Sequence, residues 1–140
     1  GRSATLSEFS EALAKRPLHF QPGTKFRYGY SIDILGRYIE AIEGKTLDVV
    51  MRERVLDRLA MNDTEFWVRD ATDRDRVAKV YYKSRDGELK PAMSRSAALA
   101  KPSRMMGGQG LISTTEDYAR FCQMLLNKGE IGRASCRHRV

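Results

Sequence analysis

Tyr28 is the residue of this chain best placed to handle a proton. It follows the Pro-Gly turn of Gln21-Pro22-Gly23-Thr24 and precedes a helical pattern that opens at Ser31. A ring held by backbone on both sides can aim its hydroxyl into a cleft. A free phenol titrates near about 10, so work at neutral pH needs a neighbouring cation to lower that value. The same side chain can instead pack its ring in the core with the hydroxyl at the edge, and the residues alone leave both readings open. Asp33 and Glu40, seven apart, share one helix face and are expected as surface or capping carboxylates. Gly107-Gly108-Gln109-Gly110 has neither the Lys-Ser/Thr of a phosphate loop nor the G-x-G-x-x-G spacing. Its glycines suit a tight backbone approach where side chains would collide. His19, between Leu18 and Phe20, reads as a packing residue. No G-x-S-x-G elbow is present. Cys122 and Cys136 match no zinc or redox spacing, and two histidines supply no metal cluster. Neither a metal nor a cofactor is expected.

The elements that must carry these groups follow from periodicity. Thr5 with Glu8 makes a capping box for a helix over 5–16, with Leu6, Phe9 and Leu13 on one face and Pro17 as its stop. Lys25 to Tyr28 is a short extended piece. A second helix starts at Ser31, places Leu35, Tyr38, Ile39 and Ile42 at helical spacing and stops at Gly44. Thr46 caps a third, in which Leu47, Met51, Val55 and Leu59 form a ladder. Val77 to Lys83 and Glu88 to Lys90, around Asp86-Gly87, form a hairpin, and the Ala- and Ser-rich stretch 94–103 is a loop. Ser113 with Glu116 makes a second capping box, opening a helix with Tyr118, Phe121, Cys122 and Leu125 on one face and Gly129 as its stop. The fold class is α+β, mostly helical with little strand.

Length and charge bound the function. The chain has 140 residues, a formal net charge of +7 and 41% hydrophobic residues, with a mean hydropathy of -0.51 and a pI near 9.6. This suits one domain. No run approaches the roughly 18 apolar residues of a membrane span, and no signal peptide is visible. The arginines are scattered along the chain, as on a solvated surface, so no nucleic-acid partner is expected. The basic charge nonetheless keeps a helical nucleic-acid-binding module as the alternative, one whose affinity falls steeply with salt.

The order of the motifs carries more than any one of them. Residues 17–36, from Pro17-Leu18-His19-Phe20-Gln21-Pro22-Gly23-Thr24 through Tyr28-Gly29-Tyr30-Ser31-Ile32-Asp33 to Leu35-Gly36, resemble the serine beta-lactamase-related family. That group includes class C beta-lactamases, DD-peptidases and EstB-type carboxylesterases, and its members often carry P-L-x-F-x-P-G-T-x-W-x-Y-S-x-S-x-D-x-L-G here. Glu43-Gly44-Lys45-Thr46 and Leu59-Ala60-Met61-Asn62-Asp63-Thr64-Glu65-Phe66 are similar to its E-x-x-G-x and P-L-G-M-x-D-T-x-F stretches. Gly107 to Thr114, with Asp117 to Phe121, resembles its G-G-x-G-L-x-S-T-x-x-D-x-x-R-F. The resemblance runs through residues 5–129.

The resemblance implies an incomplete beta-lactamase/transpeptidase-like fold: a helical subdomain plus part of an α/β region. It implies covalent acyl transfer, in which the serine of an S-x-x-K motif attacks a carbonyl while the lysine and a tyrosine manage its proton. By position Tyr28 is that tyrosine, the first residue of the family's Y-x-N. Tyr30 stands where beta-lactamases have the substrate-contacting Asn, which favours an EstB-like ester substrate over a beta-lactam. Gly107 and Gly108 line or buttress the substrate cleft. The expected partner is a small-molecule ester, amide or beta-lactam. A non-catalytic penicillin-binding-like relative is a further alternative. No Ser-x-x-K, K-T-G or H-x-G occurs here, so residues 1–129 are expected to be an internal piece of a longer bacterial enzyme, inactive alone, its compartment (cytoplasm or periplasm) and oligomeric state left open. Residues 130–140, Glu-Ile-Gly-Arg-Ala-Ser-Cys-Arg-His-Arg-Val, resemble the in-frame translation of a sequencing adapter and are expected to be a non-native tail.

Overall fold

Two small apolar clusters, each built around one of the central helical turns, organise the chain. Its computed structural model describes residues 5–91, 98–131 and 134–135. Helix α1 is Leu6–Ala14. Its capping box forms as expected: Thr5 Oγ1 accepts the Glu8 N–H while Glu8 accepts the Thr5 N–H. Helix α2 is Ser31–Glu43 and closes on Gly44, whose φ of 64° is left-handed.

Helix α3, Leu47–Met51, continues through a π turn at Arg52–Leu56 into a 3-10 turn at Asp57–Leu59, not as one α-helical ladder. Nor does the Thr46 side chain cap it. The Glu40 carboxylate reaches across the α2–α3 corner and accepts the Leu47 N–H at 3.0 Å, so the capping role read for Glu40 is filled on the next helix.

The first cluster joins Leu47, Phe66 and Met105, with Ile39, Met51 and Trp67 packed against it. The second joins Leu56, Leu59 and Met61, with Val55, Phe121 and Met124. Trp67 has the Arg69 guanidinium 4.3 Å from its ring centroid and the Lys101 ammonium at 5.3 Å. A further 3-10 turn, Ala71–Arg76, precedes the hairpin. In that hairpin β1 is Tyr81–Lys83 and β2 is Leu89–Pro91, antiparallel, with Gly87 at φ 88° in its turn. Val77 belongs to the end of the 3-10 turn, which shortens the expected strand. Of the stretch read as a loop, residues 94–97 lie outside the described residues, while Ala98 is buried and its carbonyl accepts the Val68 N–H.

Helix α4, Thr115–Leu126, is capped by Thr114, which accepts the Asp117 N–H. The expected Ser113–Glu116 box is therefore replaced by a cap one residue later, with the Asp117 carboxylate turned to Asp63 and Thr64. Ser113 is occupied elsewhere, 2.8 Å from the Thr64 hydroxyl. Asp117 is buried and accepts both the Asp63 N–H and the Thr64 hydroxyl at 2.9 Å, and Arg120 donates to the Ala60 carbonyl. With the Glu65–Ile112 bridge, these bonds staple two stretches some fifty residues apart. Short strands β3, Glu130–Ile131, and β4, Ala134–Ser135, pair beyond α4. Cys136 lies outside the described residues.

Candidate active site

The sequence between Pro22 and Ser31 cannot be helical throughout, because Pro22 biases Gln21 away from the α region and Gly23 takes φ 81°. The chain turns there and delivers Tyr28, Gly29 and Tyr30 to the N-terminal end of α2. Tyr28 is 87% exposed, so its ring does not pack in the core. Tyr30 is the residue from which α2 starts, and its ring meets Phe9 of α1 edge-on, with centroids 5.1 Å apart. Helix α1 thereby orients the aromatic residue two positions beyond Tyr28.

The glycine stretch lies directly against that end of α2. A Cβ on Gly107 would run into the Ile32 carbonyl, and one on Gly36 would sit 3.0 Å from Leu47 Cδ2 and 3.6 Å from the Gly107 Cα. The close approach expected of these glycines is therefore real, and α2 is its partner. Gly108 donates its N–H to Asp33 Oδ1 at 2.9 Å. Asp33 itself is 4% exposed, which corrects the surface role read for it. The periodicity gave no sign of this, because the group that covers the carboxylate is 75 residues away in sequence.

These pieces border one half-open cavity of about 640 Å³, lined by Tyr28, Gly29, Tyr30, Ile32, Asp33 and Met106–Gln109. All four residues singled out from the sequence, Tyr28, Tyr30, Gly107 and Gly108, meet at its wall. The lining is mixed: two tyrosines and the start of α2 on one side, Met106–Gln109 with its two glycines on the other. Such a surface offers tyrosine side chains and accessible glycine backbone to a small molecule in the same cleft. A second, apolar hollow of about 340 Å³ lies between α2, α3 and the same glycines, lined by Leu35, Ile39, Leu47, Met51 and Phe66 among others. His19 is exposed and does not line the cavity. Many basic residues are committed to carboxylates elsewhere, as in Lys45–Glu53, Arg54–Glu43, Arg69–Asp48 and Arg76–Asp63. Among the described residues no helix is long and apolar enough to cross a membrane.

Comparison with known proteins gives a consistent result. A protein of Mycobacterium tuberculosis is 38% identical over 120 residues, spanning 86% of this chain and 30% of that protein. Lovastatin esterase of Penicillium rubens is 31% identical over 123 residues, spanning 83% of this chain and 30% of the esterase. Among solved structures, EstCE1, a hydrolase with promiscuous acyltransferase activity, superposes with a TM-score of 0.81 at 26% identity, covering 97% of this chain and 40% of that one. The chain thus spans about a third of the length of the curated relatives it matches. The Beta-lactamase family model matches residues 2–138. With nearly the whole chain inside that match and an esterase and an acyltransferase among its relatives, this chain belongs to the beta-lactamase family.

Proposed function

We propose that the chain is part of a serine hydrolase that transfers acyl groups through a Ser–Lys–Tyr site, with Tyr28 as its proton carrier and esters as its substrates in preference to beta-lactams. The observation that carries this reading is the shared cavity of Tyr28 and the Gly107–Gly108 backbone. In the proposed reaction the serine Oγ bonds to the ester carbonyl carbon as its proton passes to the Tyr28–Lys pair. Collapse of the tetrahedral species then breaks the bond to the alcohol, which leaves with that proton. Water repeats the sequence on the acyl-enzyme. The serine and lysine belong to a segment outside these 140 residues, since no Ser-x-x-K occurs here.

The preference for esters rests on Tyr30. Beta-lactamases of this family place a side-chain amide at that position to pair with the substrate amide, whereas the Tyr30 ring is committed to Phe9. The similarity to lovastatin esterase and EstCE1 supports the same choice. Residues 1–129 are then a partial catalytic domain, and 130–140 a non-native tail.

The test uses the full-length protein that contains this segment. It should hydrolyse p-nitrophenyl butyrate faster than nitrocefin. Tyr28→Phe should lower kcat by about 100- to 10,000-fold, the usual worth of a positioned proton carrier, with KM little changed. A Tyr28→Phe enzyme that turns over the ester at the wild-type rate would refute the proposal.

A further inference from the structure

The first turn of α2 touches the glycine loop at consecutive residues. The Ile32 carbonyl abuts Gly107, and the Asp33 carboxylate accepts the Gly108 N–H at 2.9 Å. A Cβ on Gly108 would lie 3.3 Å from Asp33 Oδ1, so the loop backbone and the carboxylate are in close contact. A carboxylate in the first turn of a helix is favoured by the helix dipole. A carboxylate 4% exposed must also keep its hydrogen-bond partners, because an unpaired buried charge is costly. The Gly108 N–H is thus committed to Asp33 and is not free for a ligand, so this backbone group organises the wall of the cavity from behind. Tyr28 and Tyr30 lie immediately before the turn that bears Asp33.

We infer that Asp33 is a positioning residue: its bond to Gly108 fixes the distance between the Tyr28 wall and the glycine wall of the cavity. The inference rests on the hydrolase reading for its catalytic consequence, but the clamp itself stands on geometry alone. If the clamp is lost, the two walls separate, and a misplacement of about 1 Å at a reacting group can cost about 100-fold in rate.

Two variants of the full-length protein separate the acceptor from mere bulk. Asp33→Asn keeps an oxygen that can accept the Gly108 N–H, and Asp33→Leu keeps the size but offers no acceptor. Hydrogen–deuterium exchange of the peptide spanning residues 105–112 reads the clamp, and kcat and KM for p-nitrophenyl butyrate read its consequence. Asp33→Leu should speed exchange in that peptide and lower kcat by about 100-fold, with KM little changed. Asp33→Asn should restore most of both. Unchanged exchange in Asp33→Leu overturns the inference, as does Asp33→Asn behaving like Asp33→Leu. If Asp33→Leu does not fold, the Gly108 amide resonance in Asp33→Asn decides alone. The Gly108 amide proton of glycine-labelled protein should move upfield as its acceptor loses charge, and an unmoved resonance overturns the clamp. Absence of ester hydrolysis in the wild type would defeat the hydrolase reading, while the exchange and resonance readouts would still decide Asp33.

Discussion

Gly107 has the least room of the residues at the site. Its Cα lies against the Ile32 carbonyl on one side and near Gly36 on the other, so a methyl group there has nowhere to go without moving α2. Gly107→Ala should therefore cost about 1–3 kcal/mol, the usual cost of overpacking, read as a lower denaturant midpoint at unchanged slope. Wild-type stability in that variant would show that the approach is looser than described. The glycine stretch was legible in the sequence because it lacked every feature of a phosphate loop and so implied close packing. Its partner was less legible: Ile32 is an ordinary helix residue, and only Gly36, a glycine inside a helix, hints at a close approach there. Tyr28 could be singled out from its place between turn and helix, whereas its exposure depends on what α1 and the glycine loop leave uncovered. Asp33 was misread for a related reason: a carboxylate in a helix's first turn is ordinarily solvated, and only the distant Gly108 makes it a buried one.

The helices were readable through their stops and through side chains that bond locally. Thr5–Glu8 and Gly44 act within one turn of their own residues, and both are seen. The displaced cap at α4 shows the limit of such signals. In Ser113-Thr114-Thr115-Glu116-Asp117, two overlapping cap patterns compete, and the hydrogen bond between Ser113 and Thr64 leaves Thr114–Asp117 to cap the helix. The same bonding gives a physical role to Asp63-Thr64 and Asp117-x-x-Arg120, quoted above only as a resemblance: they hold the turn before Phe66 onto α4.

Asp63 also ties this turn to the 3-10 segment through Arg76, at 2.8 Å. The hydrogen bond from Arg76 lowers the Asp63 pKa from its ordinary 3.8. A carboxylate that titrates lower in the folded chain makes the unfolded chain the better proton binder. Its stabilisation is present above about 3.8 and is lost as pH falls through the lower, folded value. Glu8 and Asp70 are lowered by their bonds to Thr5 and Thr72 and have the same sign. Asp63→Asn should accordingly lower Tm at neutral pH by an amount that shrinks toward zero as the buffer is taken from about pH 6 to about pH 2. A constant gap across that range would mean the pair does not act through its charge.

Over the whole molecule, apolar surface is less covered than the periodicity implied. Ile39 packs into the first cluster, but Leu35, Tyr38 and Ile42 of the same helix are 50–66% exposed. On α4, Phe121 packs inward while Tyr118 and Leu125 remain exposed. Helical spacing shows that such residues share a face; it does not say whether a neighbour is present to cover it. Faces of this kind promote association. The isolated 140-residue chain should therefore self-associate in sedimentation velocity and bind an apolar dye. It should leave both p-nitrophenyl butyrate and nitrocefin intact, because it has no Ser-x-x-K. A monodisperse chain that binds no dye would count against the open faces, and measurable turnover against the proposed source of the nucleophile.

Trp67 is the chain's single tryptophan, held between Arg69 and Lys101 at the edge of the cluster that includes Met105. In the isolated chain its emission therefore comes from one known place, beside the segment 101–105 that leads into the glycines. Any ligand or solvent condition that lifts residues 101–105 from the indole would change the colour and polarisation of that light. The 140-residue chain thus carries a built-in optical gauge of the segment behind its cavity wall, with no label to attach.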